Sequence, residues 1–102
     1  MNAKPTNKTY MLESRGAKAI GRFAGNGEAF TVLAGAKVSN DETEEFATCD
    51  RFGKRLRDTL INTNVIQGGK LMCDYTFSTC SCAASVLTGM QSQGPAVWKE
   101  YP

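Results

Sequence analysis

The sequence predicts an α+β fold, with a small antiparallel sheet of three to four strands and two helices packed on one face of it. Two observations lead to this prediction. The β-prone segments come first along the chain and the helical segments come after them, an order typical of α+β domains. The length of 102 residues suits one hydrophobic core and is too short for two. Residues 8–102 are therefore expected to form a single domain, after a flexible N-terminal arm at residues 1–7.

The strands are predicted from β-prone residues that end at turn signals. Asn26 and Gly27 both tolerate the positive φ that a two-residue hairpin turn requires, so the segments beside them form an antiparallel hairpin. Alternation along the second of these segments places Phe30 and Val32 on the same face. The predicted strands are Lys8–Ser14, Ala17–Ala24, Glu28–Ala36 and the β-like stretch Leu71–Phe77.

The first helix is predicted from helical spacing of apolar residues after Asp50. Phe52, Leu56 and Leu60 recur every four residues and would form its buried face. Thr48 and Asp50 are both suitable caps for its first turn. The segment before it, residues 37–49, is acidic and rich in polar residues, and we expect it to be a loop.

The second helix is predicted from about Thr79 to Gly89 or Met90. Ser78 or Thr79 is the expected N-cap and Gly89 the expected C-cap. The segment that follows is expected to be an extended tail, anchored in the core by Trp98.

Several classes of protein do not fit the composition. The chain has no histidine, the commonest general base near neutral pH and the commonest metal ligand. No apolar run is long enough to cross a membrane, and the first residues lack the apolar centre of a signal peptide. We therefore expect a cytoplasmic, non-enzymatic protein with reduced thiols, no cofactor and no membrane partner.

The four cysteines have a spacing that does not favour a metal site. Cys80 and Cys82 lie one residue apart, whereas structural zinc sites take thiolates from pairs separated by two to four residues. We therefore predict no metal site. A thiol in the first turn of a helix feels the positive end of the helix dipole, which would lower the pKa of Cys80. Thiol chemistry at Cys80 is therefore a further hypothesis, weaker than nucleic-acid binding or the binding of a protein partner.

Basic residues indicate a possible phosphate-binding surface. The wheel of the first helix places four cations between positions 51 and 57 on its outer arc. Lys18 and Arg22 share one face of the second strand and would extend this surface. Ser81 lies at the mouth of the last helix, where free backbone N–H groups attract anions. The candidate nucleic-acid-binding residues are Arg51, Lys54, Arg55, Arg57, Lys18, Arg22, Ser81 and Lys99.

The acidic residues are concentrated in one segment. Residues 41–50 hold five of the ten acids and no Lys or Arg, so the rest of the chain has a net charge of +7. Such a surface attracts polyanions, while ordinary solvated charge explains the same distribution. The sequence alone leaves both interpretations open.

The C-terminal segment DYTFSTCSCAASVLTGMQSQGPAVWKEY resembles the family called domain of unknown function 4357. The upstream segments FTVLAGAKVS and RFGKRLRDTLINTNVI are similar to two further family segments, so the resemblance extends over about residues 10–101. The family has a proline where this chain has Cys80, and its Asn-Gly-Trp triplet is here Gln93, Gly94 and Pro95. The matching C-terminal positions are Asp74, Phe77, Thr79, Ser81, Ala83, Ala84, Val86, Leu87, Gly89, Gly94, Trp98 and Lys99.

The resemblance implies a small α+β module of the kind appended to GIY-YIG nucleases and restriction-related proteins, without an active site of its own. The leading hypothesis is therefore an accessory module that binds DNA or RNA, with a nuclease or restriction enzyme as a possible protein partner. The alternative is a small phage or mobile-element protein that binds or inhibits a host defence or restriction enzyme, with its acidic segment imitating a nucleic-acid backbone.

Overall fold

A computed structural model describes residues 8–24, 28–91 and 97–101 of the chain. Its main feature is an antiparallel sheet of five strands in the order β6-β3-β2-β1-β7. The predicted α+β class is confirmed, and the sheet is larger than the three to four strands expected. Its strands are β1 (Thr9–Ser14), β2 (Ala17–Phe23), β3 (Phe30–Val32), β6 (Tyr75–Phe77) and β7 (Lys99–Tyr101).

A short hairpin extends the sheet beyond β2. Its strands, β4 (Ile66–Gln67) and β5 (Lys70–Leu71), join through Gly68 and Gly69, which both have the positive φ of a tight turn. Lys37 pairs with Lys18 of β2 on one side and with Lys70 of β5 on the other. The β-like stretch predicted at residues 71–77 is therefore divided between the hairpin and β6.

Within the described residues, three helices accompany the sheet: α1 (Glu44–Cys49), α2 (Arg51–Asn62) and α3 (Cys80–Thr88). The prediction of a loop over residues 37–49 is wrong for its last part. Thr43 caps α1 by accepting a hydrogen bond from the Phe46 N–H, and two glutamates occupy the first turn, where the helix dipole favours negative charge.

The helices do not lie side by side on the sheet. The α3 helix packs on β2, β3 and β6, whereas α2 packs mainly on α1, α3 and β4. The prediction that two helices share one face of the sheet is therefore wrong in this detail. Among the described residues, no helix is long and apolar enough to span a membrane.

The core lies between α3 and the inner face of the sheet. Phe30 and Val32 both point into it, as alternation predicted, and Leu12 joins them from β1. Trp98 is also buried there, and its indole N–H donates to the carbonyl of Cys80 at 2.9 Å. Phe77 of β6 is buried in the same core, and the expected anchoring of the tail by Trp98 is confirmed.

The predicted helix caps are found at the positions expected. The Thr79 hydroxyl accepts from the Cys82 N–H at 3.0 Å and begins α3, while Gly89 ends it with a φ of 68°. Asp50, one of the two candidate caps, accepts from the Gly53 N–H and begins α2. The Asn26–Gly27 turn and the N-terminal arm at residues 1–7 lie outside the described residues.

Candidate functional site

The cations of α2 do not form one exposed stripe. Arg57 is only 3% exposed, so the prediction that it lies on the outer arc is wrong. Its guanidinium donates to the carbonyls of Val86 and Ser39, each at 2.6 Å, and to the Glu42 carboxylate at 3.1 Å. A guanidinium has five N–H donors in a planar fork, which suits it to several fixed acceptors. Arg57 therefore connects α2 to α3 and to the segment before α1.

Phe52 lies on the exposed surface of α2, although helical spacing predicted it on the buried face. It is 64% exposed, whereas the buried residues of α2 are Gly53, Arg57 and Leu60. The predicted buried face is thus correct at Leu60 and wrong at Phe52. A polar residue is buried on this helix and an aromatic one faces solvent, the reverse of the usual preference.

Lys54 is engaged within the chain. Its ammonium lies 2.9 Å from one carboxylate oxygen of Glu42 and 3.2 Å from the carboxylate of Asp58. Hydrogen bonds to Glu42, and then to Asp58, raise the pKa of Lys54 above its ordinary value. Only Arg51 and Arg55, among the four predicted cations of α2, are exposed without an ion-pair partner in the described part of the chain.

The other predicted cations lie on the opposite side of the sheet from α3. We call this surface the outer sheet face. Its residues alternate with the buried ones along each strand, and residues paired across neighbouring strands point to the same side. The described side chains of the outer sheet face include those of Thr9, Met11, Glu13, Lys18, Ile20, Arg22, Thr31, Leu33, Lys37, Lys70, Thr76 and Lys99.

Three lysines form a row across this face. Lys18 and Lys37 exchange backbone hydrogen bonds of 3.0 and 2.8 Å, and Lys37 pairs in turn with Lys70. Their neighbours in sequence, such as Ala17, Ala36 and Leu71, are buried, so the three lysine side chains point outward. Neighbouring strands are about 4.8 Å apart, which makes this lysine row about 10 Å long.

A second polar row lies at the other end of β2. Arg22 pairs with Thr31, and Thr31 pairs with Thr76, whose hydroxyl lies 2.7 Å from that of Thr31. Arg22 is four residues from Lys18 on the same strand, so this arginine–threonine row is about 14 Å from the lysine row. Both rows consist of residue types that contact phosphates in nucleic-acid complexes.

An apolar row separates the two polar rows. Ile20 pairs with Met11, and the Leu33 N–H donates to the Ile20 carbonyl, which places these three half-buried side chains side by side. They line a shallow cleft of about 410 Å³ with Lys18 and Lys37 at its rim. Lys99, paired with Met11, ends this apolar row with a further positive charge.

The outer sheet face is strongly positive. Its residues include five cations and one acid, Glu13, which lies opposite Lys18. No ion pair or hydrogen bond to any of these five cationic side chains occurs within the described residues. Cations without partners are free to bind an anionic ligand, because no internal salt bridge has to be broken first.

The N-terminus of α3 is a less favourable site for an anionic ligand. Ser81 is half-buried, and the Cys82 N–H is already bonded to the Thr79 hydroxyl. Burial raises the pKa of the Cys80 thiol and of the Cys82 thiol, so the expected lowering at Cys80 is wrong. No group of three or more His, Cys, Asp or Glu residues with metal-binding geometry occurs in the described segments.

The structure thus divides the predicted site residues into two groups. Lys18, Arg22 and Lys99 come together on the outer sheet face, and Arg51 and Arg55 remain apart from them on α2. Sequence reasoning missed Lys37 and Lys70. Each alternates with buried neighbours, but only pairing with distant segments shows that they extend the face that begins at Lys18.

Comparison with known protein families gives a match over nearly the whole chain. The model of the family described as Domain of unknown function (DUF4357) matches residues 10–101. The chain belongs to the DUF4357 family. The matched region of this DUF4357 chain includes both groups of cations, from Lys18 on β2 to Lys99 on β7. No curated protein and no solved structure matches the chain.

Proposed function

We propose that this chain is a non-enzymatic nucleic-acid-binding module whose outer sheet face contacts the phosphate backbone. The observation that supports this most strongly is a group of five cations on one face of the sheet, which face away from the core and have no ion-pair partner among the described residues. Lys and Arg side chains bind nucleic acids by neutralising phosphates and releasing condensed counterions. Because α3 covers only the inner face, the outer sheet face meets a ligand without any change of fold.

The family resemblance supports a further part of the proposal, in which this module accompanies a nuclease or restriction enzyme. The binding face lies on strands β1, β2, β3, β5, β6 and β7, and α2 lies in a different layer of the fold. Exposed Phe52, flanked by Arg51 and Arg55 on α2, is therefore available to a protein partner while the sheet holds nucleic acid.

The alternative, a protein that binds a host defence or restriction enzyme through an acidic segment, has less support. Three acids of that segment serve the fold: Asp41 pairs with Arg15, Glu42 pairs with Arg57, and Asp50 caps α2. Glu44 and Glu45 are the remaining acids, in the first turn of α1. These two carboxylates resemble only a short stretch of the phosphates in a nucleic-acid backbone.

Two variants with equal loss of charge test the proposal. Lys18→Gln with Lys37→Gln removes two positive charges from the outer sheet face, and Arg51→Gln with Arg55→Gln removes two from α2. Binding of a fluorescent DNA duplex at low ionic strength is measured by anisotropy. We expect the first variant to bind much more weakly and the second to bind like the parent protein.

Other outcomes have clear meanings for this proposal. If the parent protein binds neither DNA nor RNA at low salt, the proposed function is wrong. If both double variants lose affinity equally, binding depends on net charge and the outer sheet face is not the site. Far-UV circular dichroism of each variant checks that all of these exposed substitutions leave the fold intact.

A further inference from the structure

The two polar rows of the outer sheet face are separated by about the width of a DNA groove. The lysine row (Lys18, Lys37 and Lys70) and the arginine–threonine row (Arg22, Thr31 and Thr76) are about 14 Å apart, because Arg22 follows Lys18 by four positions along β2. The major groove of B-form DNA is about 12 Å wide. Two phosphate lines border that groove, one from each DNA strand.

From this spacing, we infer that the outer sheet face lies across the major groove of duplex DNA, with one polar row on the phosphates of each strand. This inference rests on the proposed function and specifies its ligand. Both rows run across the sheet for about 10 Å, since each joins residues on three neighbouring segments. They therefore form two roughly parallel lines of phosphate-binding side chains, as two backbones require.

The residues between the rows would face the open side of that groove. Met11, Ile20 and Leu33 are aliphatic and half-buried, and they face outward between the two polar rows. The thymine methyl groups make the major groove of DNA partly apolar. In A-form RNA the major groove is too narrow to admit side chains, and the accessible minor groove presents hydroxyl groups. The apolar row thus favours DNA over an RNA duplex.

Single-stranded nucleic acid fits this face less well. A single strand has one phosphate line, which occupies one polar row and leaves the other empty, whereas a duplex engages both rows.

The salt dependence of binding distinguishes these ligands. Each phosphate neutralised on B-form DNA contributes about −0.9 to the slope of log K against log salt concentration, and each on a single strand contributes about −0.7. With Arg22 and the three lysines engaged, we expect a slope of about −3.6 for a duplex. With the lysine row alone engaged, we expect about −2 for a single strand.

The experiment measures the anisotropy of three labelled probes over a range of salt concentrations: a 16-base-pair DNA duplex, one of its strands, and an RNA duplex of the same sequence. Arg22→Gln is expected to reduce the slope for duplex DNA by about 0.9 and to leave the slope for the single strand unchanged. Lys37→Gln is expected to reduce both slopes, and Arg55→Gln, a matched control on α2, neither.

Several results would overturn the inference. If single-stranded DNA or the RNA duplex binds as tightly as the DNA duplex, the two rows do not hold two DNA strands. The same conclusion follows if Arg22→Gln leaves the duplex slope unchanged. Binding of a different nucleic acid through the lysine row leaves the proposed function correct and this inference wrong. Binding of none of the three probes contradicts both.

Discussion

Arg57 is expected to contribute more to the stability of this protein than any cation on its surface. Replacing it with leucine removes the donors that now satisfy the carbonyls of Ser39 and Val86. A buried acceptor left without a partner costs about 1–3 kcal/mol. The change also removes one of the two cations that hold Glu42, although Lys54 remains beside it.

Together these losses predict that Arg57→Leu lowers the free energy of unfolding by about 3–5 kcal/mol, the range typical of breaking a buried ion pair on one side. A domain of this size is stable by about 5–15 kcal/mol, so the variant loses a large part of its stability. Arg57→Lys keeps the charge but lacks the planar fork, and we expect it to lose about 1–3 kcal/mol.

Urea denaturation followed by far-UV circular dichroism measures these differences. Arg55→Leu is the matched control, because Arg55 is an exposed arginine on the same helix. It is expected to change the free energy of unfolding by less than about 0.5 kcal/mol. If Arg57→Leu unfolds at the same urea concentration as this control, Arg57 is not the buried connection described above.

Three further predictions concern the fold. Gly89→Ala is expected to lower the free energy of unfolding by about 2–4 kcal/mol, because a Cβ there would overlap the Asp41 carbonyl as well as strain the positive φ. Gly16→Ala has the same backbone strain but open space around the Cβ, so we expect a loss of about 1 kcal/mol. Urea denaturation compares the two, and equal losses would contradict the close approach. Trp98→Phe keeps an aromatic ring in the core but loses the hydrogen bond to the Cys80 carbonyl, so we expect a loss of about 1–3 kcal/mol in the same assay, and no loss would refute that bond's contribution. Because burial raises the pKa of the Cys80 thiol, Cys80 is expected to react with iodoacetamide at pH 7.5 more slowly than the exposed cysteines, as followed by mass spectrometry; fast labelling would show an accessible thiolate.

Local signals predicted much of this fold correctly. The N-cap Thr79, the C-cap Gly89 and the inward pair Phe30 and Val32 depend on interactions within a few residues, which the sequence displays directly. The cap of α1 is also local. Thr43 with two glutamates after it was a sufficient signal for this helix, although the acidic composition suggested a loop.

The errors on α2 have a different cause. Helical spacing identifies a buried face only when apolar side chains are the ones buried, and here an arginine takes a buried position while Phe52 is exposed. The acceptors that make this possible belong to Ser39, Glu42 and Val86, which are distant in sequence. No pattern within the helix itself could have shown that these acceptors surround Arg57.

The outer sheet face was partly predictable for a similar reason. Lys18 and Arg22 lie on one strand, so alternation alone placed them on one face. Lys37 joins that face through a single bridge to Lys18, and Lys70 joins it through a single bridge to Lys37. The register of such bridges depends on the whole fold. The sequence therefore indicated Lys18, Arg22 and Lys99, and the tertiary pairing adds Lys37 and Lys70 to the same face.

Amide chemical shifts of the labelled protein, titrated with a short DNA duplex, test most directly whether the outer sheet face is the binding surface. A chain of 102 residues is small enough for this measurement at single-residue detail. The account predicts shifts on β1, β2, β3, β5, β6 and β7 and at Lys37, with the amides of α2 unchanged. Shifts confined to α2, with the outer sheet face unaffected, would contradict it.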